Sequence, residues 1–194
     1  LLSGLFTNKN ILLGPGNLII NGDFSNGNIG WIFGNTYMGT ASILNNQLKV
    51  TSYSFAYQQI DSLTNSAGKT FRLNFSMQSL GVEGIHPQIS VQDLDNGWQS
   101  VDGAYWSLGR QTPGGWKEYS YTFTIPTNGH RYIISFGTTE QYDKDRMASV
   151  FYDNINLVEI SAPECSNTVG CEPGYLCVDS ACKYVSKLYI EAED

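Results

Sequence analysis

Over residues 71–78 every second side chain is apolar: Phe71, Leu73, Phe75 and Met77 alternate with Arg72, Asn74, Ser76 and Gln78. Successive side chains of an extended strand point to opposite faces, so this stretch has one wet face and one that needs cover. The period recurs over residues 117–125, with Tyr119, Tyr121, Phe123 and Ile125 on one side and Glu118, Ser120, Thr122 and Thr124 on the other. Residues 47–50, 56–60, 89–94, 131–136 and 151–160 read as further strands, parted by Gly, Asn and Pro. Helical periodicity is almost absent. Strands that each offer one apolar face are satisfied by a second sheet about 10 Å away. The expected fold class is therefore all-β, a two-sheet antiparallel β-sandwich.

With 194 residues the chain has room for one such sandwich and a small appendage. Only 15% of residues are charged while 13% are aromatic, against about 25% charged in an ordinary soluble protein. Amides, hydroxyls, Gly and Tyr must cover the surface, which suits neutral polyhydroxylated partners better than ions. A net charge of −7 repels phosphate backbones, so no nucleic-acid partner is expected. No stretch approaches the ~20 apolar residues of a membrane span. The sequence opens on Leu1 rather than Met, so a trimmed or partial chain is expected, with removal of a signal peptide one route to it.

All four cysteines, Cys165, Cys171, Cys177 and Cys182, are spaced C-x5-C-x5-C-x4-C near the C-terminus. Structural zinc takes closer pairs, so the spacing reads as two disulfides formed in an oxidising, extracellular compartment. Four cysteines allow three connectivities; Cys165 with Cys177 and Cys171 with Cys182 is the pairing favoured. The expected organisation is a linker or exchange strand over 1–16, the sandwich over 17–160, a disulfide-rich C-terminal segment over 161–187, and an acidic tail over 188–194.

The segment Asn17-Leu18-Ile19-Ile20-Asn21-Gly22-Asp23-Phe24, followed by Gly27, Gly30 and Trp31, resembles the opening strand of xylan- and glucan-binding carbohydrate-binding modules of the family 4, 9 and 22 type. Residues 67–75 (AGKTFRLNF), 116–126 (WKEYSYTFTIP) and 151–157 (FYDNINL) are similar to the family's central, late and closing strands, in the family's order. The resemblance spans about residues 17–160 and implies a jelly roll with a groove across one sheet. It also implies a structural calcium near the junction of first and last strands, with Asp153 giving its carboxylate and Asp23 its carbonyl. Ser25 stands where the family commonly has an acidic residue, which leaves one negative charge missing.

Sugar recognition calls for flat aromatic faces against pyranose C–H groups, flanked by groups that pair with hydroxyls. Tyr53, Tyr57, Trp98, Tyr105, Trp106 and Tyr142, in or near turns, are the aromatic candidates. Gln58, Asn74, Gln92, Glu118 and Glu140 are the polar companions, while Trp31 and Trp116 read as structural. Hydrolysis of a glycoside needs two facing carboxylates, and nothing pairs Glu83, Glu118, Glu140, Asp143 or Asp145. His86 and His130 sit beside Pro87 and Gly129 and read as surface residues. No G-x-S-x-G, H-E-x-x-H or P-loop motif is present. Residues 93–97 (DLDNG) read as a tight hairpin turn on Asn96-Gly97. Asn74-Phe75-Ser76 is an N-glycosylation sequon whose Asn should point outward.

Two functions follow as expectations. The first is a non-catalytic, secreted or cell-surface carbohydrate-binding module for neutral polysaccharide or glycan. The alternative is a structural subunit of an extracellular filament, appendage or cell-surface assembly. There the apolar residues 1–13 would add a strand to the sheet of an identical or related subunit.

Overall fold

A computed structural model of the chain describes residues 16–36, 39–80, 86–109, 111–138 and 149–160, and the backbone alone of 175–178 and 181–184. The chain divides into two compact units, Leu1–Glu159 and Ile160–Asp194. In the first unit the strands are β1 (Ile32–Gly34), β2 (Ala41–Leu44), β3 (Gln47–Val50), β4 (Phe55–Gln59), β5 (Thr70–Leu80), β6 (Pro87–Asp93), β7 (Gln99–Ser107), β8 (Lys117–Thr124), β9 (Tyr132–Thr138) and β10 (Ser149–Ile160). One turn of 3-10 helix, Asp61–Asn65, separates β4 from β5, and the described residues contain no α-helix.

The strands form two five-stranded antiparallel sheets, β1-β4-β9-β6-β7 and β2-β3-β10-β5-β8. Alternation assigns their faces. Phe71, Leu73, Phe75 and Met77 of β5 are buried, as are Ile89 and Val91 of β6 and Ile134 and Phe136 of β9. Each such side chain stabilises the fold by roughly 1.5–3 kcal/mol through burial. Phe75 meets Phe136 edge-on at 5.2 Å, and Phe136 meets Tyr152 at 5.0 Å. The buried Tyr152 hydroxyl crosses the interlayer space and donates to the Gly137 carbonyl at 3.0 Å. Burial pushes that phenol well above its usual pKa, so it stays a donor.

The two ends of the sandwich sequence are zipped together. Leu18 N–H donates to Leu157 O at 2.8 Å, and Ile155 N–H to Gly22 O at 2.9 Å. Asn17 Oδ1 accepts from the backbone N–H of both Ile19 and Leu157. A side chain at Gly22 would collide with the Ile155 carbonyl, so only glycine allows this approach.

The short strands β1 and β2, and the long β7, were not expected from the sequence. β7 hides its period because the β6–β7 register shifts between Ser90 and Gln92 and Gly103 adopts φ +69°. Val101 and Ala104, three residues apart, are then both buried, as a bulge produces. Tyr105 and Trp106 therefore lie within a strand rather than in a turn.

In the second unit, β11 (Tyr175–Val178) and β12 (Ala181–Tyr184) form an antiparallel hairpin whose register sets Cys177 opposite Cys182. Cys165 and Cys171 lie outside the described residues, as do residues 1–15 and 188–194.

Candidate functional site

The outer face of the first sheet is ordered in rows that cross the strands. Gly137 of β9 lies between Phe55 of β4 and Gln88 of β6. Ser135 lies between Tyr57 and Ser90, and Ser90 is in turn opposite Tyr105 of β7. Ile133 lies between Gln59 and Gln92. Small residues in the middle and aromatic residues at the flanks make a trough by side-chain size alone. The cleft holds about 210 Å3 and is walled by Phe55, Trp98 and Tyr105 over a floor that includes Gln88, Ser90, Gln92 and Ser135.

Two glycines seat the first wall. A Cβ on Gly34 would run into the Phe55 ring, and one on Gly137 would stand 3.0 Å from Phe55 Cβ. Phe55 packs beside Tyr57 with centroids 6.1 Å apart, and Tyr57 meets Trp98 edge-on at 6.4 Å. Trp98 and Tyr105 are 54% and 51% exposed, so their faces are open to a ligand.

Trp98 is presented by the turn between β6 and β7. The hairpin turn expected here is present, with Gly97 at positive φ, but it spans residues 94–98 because the buried Asp93 carboxylate captures the N–H groups of Asp95 and Asn96, each at 3.1 Å. Left-handed φ values then fall on Gly97 (+66°) and Trp98 (+64°) rather than on Asn96. For a residue with a side chain that conformation costs roughly 1–2 kcal/mol, so neighbouring contacts must hold it. His130 Nδ1 lies 2.7 Å from Asp93 Oδ2, which makes this histidine part of the turn's support rather than a free surface group. Arg131 donates to both oxygens of Asp95, which holds that carboxyl down to about 2.

Of the residues singled out in the sequence, Trp98, Tyr105 and Gln92 meet at the cleft, and Tyr57 shares their face. Five others, Trp106, Gln58, Glu118, Tyr53 and Asn74, do not join them. Trp106 faces the core, stacked on Tyr121 at 4.7 Å, because it neighbours Tyr105 on one strand and must point the other way. Gln58, beside Tyr57, is buried: its Oε1 accepts from Ile20 N–H at 2.8 Å and its Nε2 donates to Ile20 O at 2.9 Å. Glu118 lies on β8 of the second sheet, where it accepts from Ser76 Oγ at 2.8 Å. Tyr53 is exposed in the turn before β4 and does not line the cleft. Tyr142 and Glu140 lie outside the described residues. Asn74 points from the outer face of the second sheet, its Oδ1 accepting from Ser120 Oγ at 2.8 Å. A glycan there would stand on the side of the sandwich away from the cleft.

The sequence reading missed Phe55, Gln88, Ser90 and Ser135. Phe55 carried a usable signal, since it precedes Tyr57 by two residues and so shares its face.

The segment 17–24 expected as an opening strand forms turns and irregular backbone rather than a strand. Where it meets β10, Asp153 is half-buried and its carboxyl is pushed up by burial, with Asp23 and Glu118 adding like charge. These are the hard oxygens calcium takes. Ser25 Oγ donates to Asp23 Oδ1 at 3.0 Å, so it supplies a hydrogen bond and no further charge. Among the described residues no three His, Cys, Asp or Glu side chains are grouped to hold a metal ion. The side chains fit calcium in kind but not in number.

No protein-family model matches the chain, and no curated protein matches it. Solved structures do. A CBM4 structure superposes with a TM-score of 0.55 at 14% identity, covering 73% of this chain and 99% of that one. The CBM22-1 and GH10 modules of Clostridium thermocellum endo-1,4-β-D-xylanase 10B, solved with xylohexaose, give 0.55 at 13% identity over 78% of this chain and 30% of that one. The enzymatically active domain of bacteriophage CBA120 tailspike protein 4 gives 0.55 at 17% identity; the alignment covers 74% of this chain and only 21% of the tailspike. The likeness is one of fold, a jelly-roll β-sandwich shared with these proteins.

Proposed function

We propose that this chain is a non-catalytic, extracellular carbohydrate-binding module that holds a neutral polysaccharide or glycan in the cleft on the first sheet. The observation that carries the reading is the set of cross-strand rows, in which aromatic walls flank a floor of amides and hydroxyls. Aromatic faces pack on the C–H side of a pyranose, and Gln88, Ser90, Gln92 and Ser135 offer donors and acceptors to its hydroxyls. Among the described residues the cleft lining carries no carboxylate, which supports binding without hydrolysis. The cleft's neutrality also supports a neutral ligand.

In the same reading a calcium ion at Asp153 and Asp23 would be structural, completed by backbone carbonyls and water, and would take no part in holding sugar. The alternative of an extracellular assembly joined through residues 1–16 rests on residues outside those described, Gly16 excepted. No described helix is long and apolar enough to cross a membrane.

Affinity electrophoresis of the folded protein in gels containing xylans, glucans and mannans tests the reading. Retardation by at least one polymer, lost in Tyr105→Ala, is the expected result. Unchanged mobility in every gel would overturn it.

A further inference from the structure

We propose that the ion pair between Asp95 and Arg131, which lies outside the cleft, is a positioning device that fixes Trp98 as a cleft wall. Ligand affinity then depends on two residues that no ligand touches. The inference rests on the reading of the cleft as a sugar site.

Trp98 closes the five-residue turn 94–98, and that turn has little to hold it from within. Its internal support is a long Gln99 N–H to Asn96 O bond of 3.3 Å and the two 3.1 Å bonds to Asp93. The Trp98 ring itself meets Tyr57 only edge-on at 6.4 Å. What ties the turn to the sheet is the pair of residues just before β9: His130 lies against Asp93 at 2.7 Å, and Arg131 holds Asp95 in the turn itself. Arg131 Nη2 donates to Asp95 Oδ1 at 2.6 Å, its Nε lies 3.2 and 3.1 Å from the two carboxylate oxygens, and its backbone N–H donates to Asp95 Oδ2 at 2.7 Å. Leu94 N–H closes the loop on Arg131 O at 2.9 Å.

A single residue thus grips one carboxylate with both its fork and its backbone. A bidentate guanidinium fixes the plane of its partner as well as its distance, which an ammonium does not. With 57% of the Arg131 side chain and 31% of the Asp95 side chain exposed, the pair contributes little to global stability. Its consequence is geometric: it holds the turn in the form that carries Trp98 at φ +64°, a conformation that surrounding contacts must impose.

The test uses the full chain labelled with 5-fluorotryptophan. Its four tryptophans give four fluorine resonances, and Trp98→Phe identifies that of Trp98. Asp95→Asn and Arg131→Gln should shift and broaden the Trp98 signal while leaving that of the buried Trp31 and the melting cooperativity unchanged. Arg131→Lys, which keeps the charge but not the fork, should do the same. A Trp98 signal unmoved in all three variants would overturn the proposal, and this arm needs no ligand. On a polysaccharide the wild type binds, Asp95→Asn should lose about threefold to tenfold in affinity, the range a misaligned aromatic contact gives. The double variant Asp95→Asn with Trp98→Ala should bind no more weakly than Trp98→Ala alone, whereas additive losses would overturn the mechanism. Failure of the wild type to bind any polymer would remove the sugar reading, and the fluorine spectrum would still decide the positioning role.

Discussion

Tyr57 and Tyr105 occupy one row across the first sheet, separated by Ser135 and Ser90. Three strand intervals put their backbones roughly 14 Å apart, and the two serines between them add almost no bulk. The trough is thus written into side-chain size along a line perpendicular to the strands.

Tyr105 and Trp106 should separate cleanly when each is replaced by alanine. Tyr105→Ala removes an exposed wall, so affinity falls while the urea midpoint barely moves. Trp106→Ala breaks the stack on Tyr121 and leaves a void against the core. It should cost about 2–4 kcal/mol of stability and leave the affinity of the folded fraction unchanged. Urea titration and binding on the same samples check both.

Gln58→Met keeps volume but removes both hydrogen bonds to the Ile20 backbone. Leaving those peptide groups unpaired should cost about 1–3 kcal/mol. Hydrogen exchange should accelerate at Ile20 well before it does at β9; unchanged exchange there would contradict the pinning role.

Acid should expose the Asp95–Arg131 pair. The folded carboxyl sits at about 2 rather than the usual 3.8 because Arg131 hydrogen-bonds it. A lowered folded value means the contribution is present above pH 3.8 and is lost as pH falls towards 2. Because the pair is exposed the effect on Tm should be small, but the wild type should drop slightly more steeply across that window than Asp95→Asn, and the two should converge at its acid end. Parallel curves would argue against the pair.

Where the opening segment meets β10, Asp153→Asn removes the half-buried carboxylate that burial disfavours and that Asp23 and Glu118 crowd with like charge. In chelator at neutral pH the variant should melt above the wild type, because the charge that burial and its neighbours disfavour is gone. Added calcium should raise the wild type and close that gap. A variant that melts lower than the wild type, equally with and without calcium, would refute both the repulsion and the ion.

Strand positions and faces were legible wherever alternation ran unbroken, as over residues 71–78, now inside Thr70–Leu80. The same rule, applied further, would have separated Tyr105 from Trp106 and Tyr57 from Gln58, since adjacent strand residues cannot share a face. β7 was hidden because its bulge breaks the period. Alternation also fails to say which sheet an outward residue belongs to, so Glu118 and Gln92 looked equivalent although they lie on opposite sides of the sandwich. The support that Asp93 and Asp95 draw from His130 and Arg131 was invisible, because these partners lie some 36 residues or more away in sequence.

The central claim is tested most directly by backbone amide NMR of the chain titrated with a soluble fragment of whichever neutral polysaccharide retards it. Shifts should concentrate on Gln88, Ser90, Gln92, Tyr105 and Ser135. Shifts concentrated instead on Asn74, Ser120 and Thr122 of the second sheet would place the ligand on the wrong face and contradict the account.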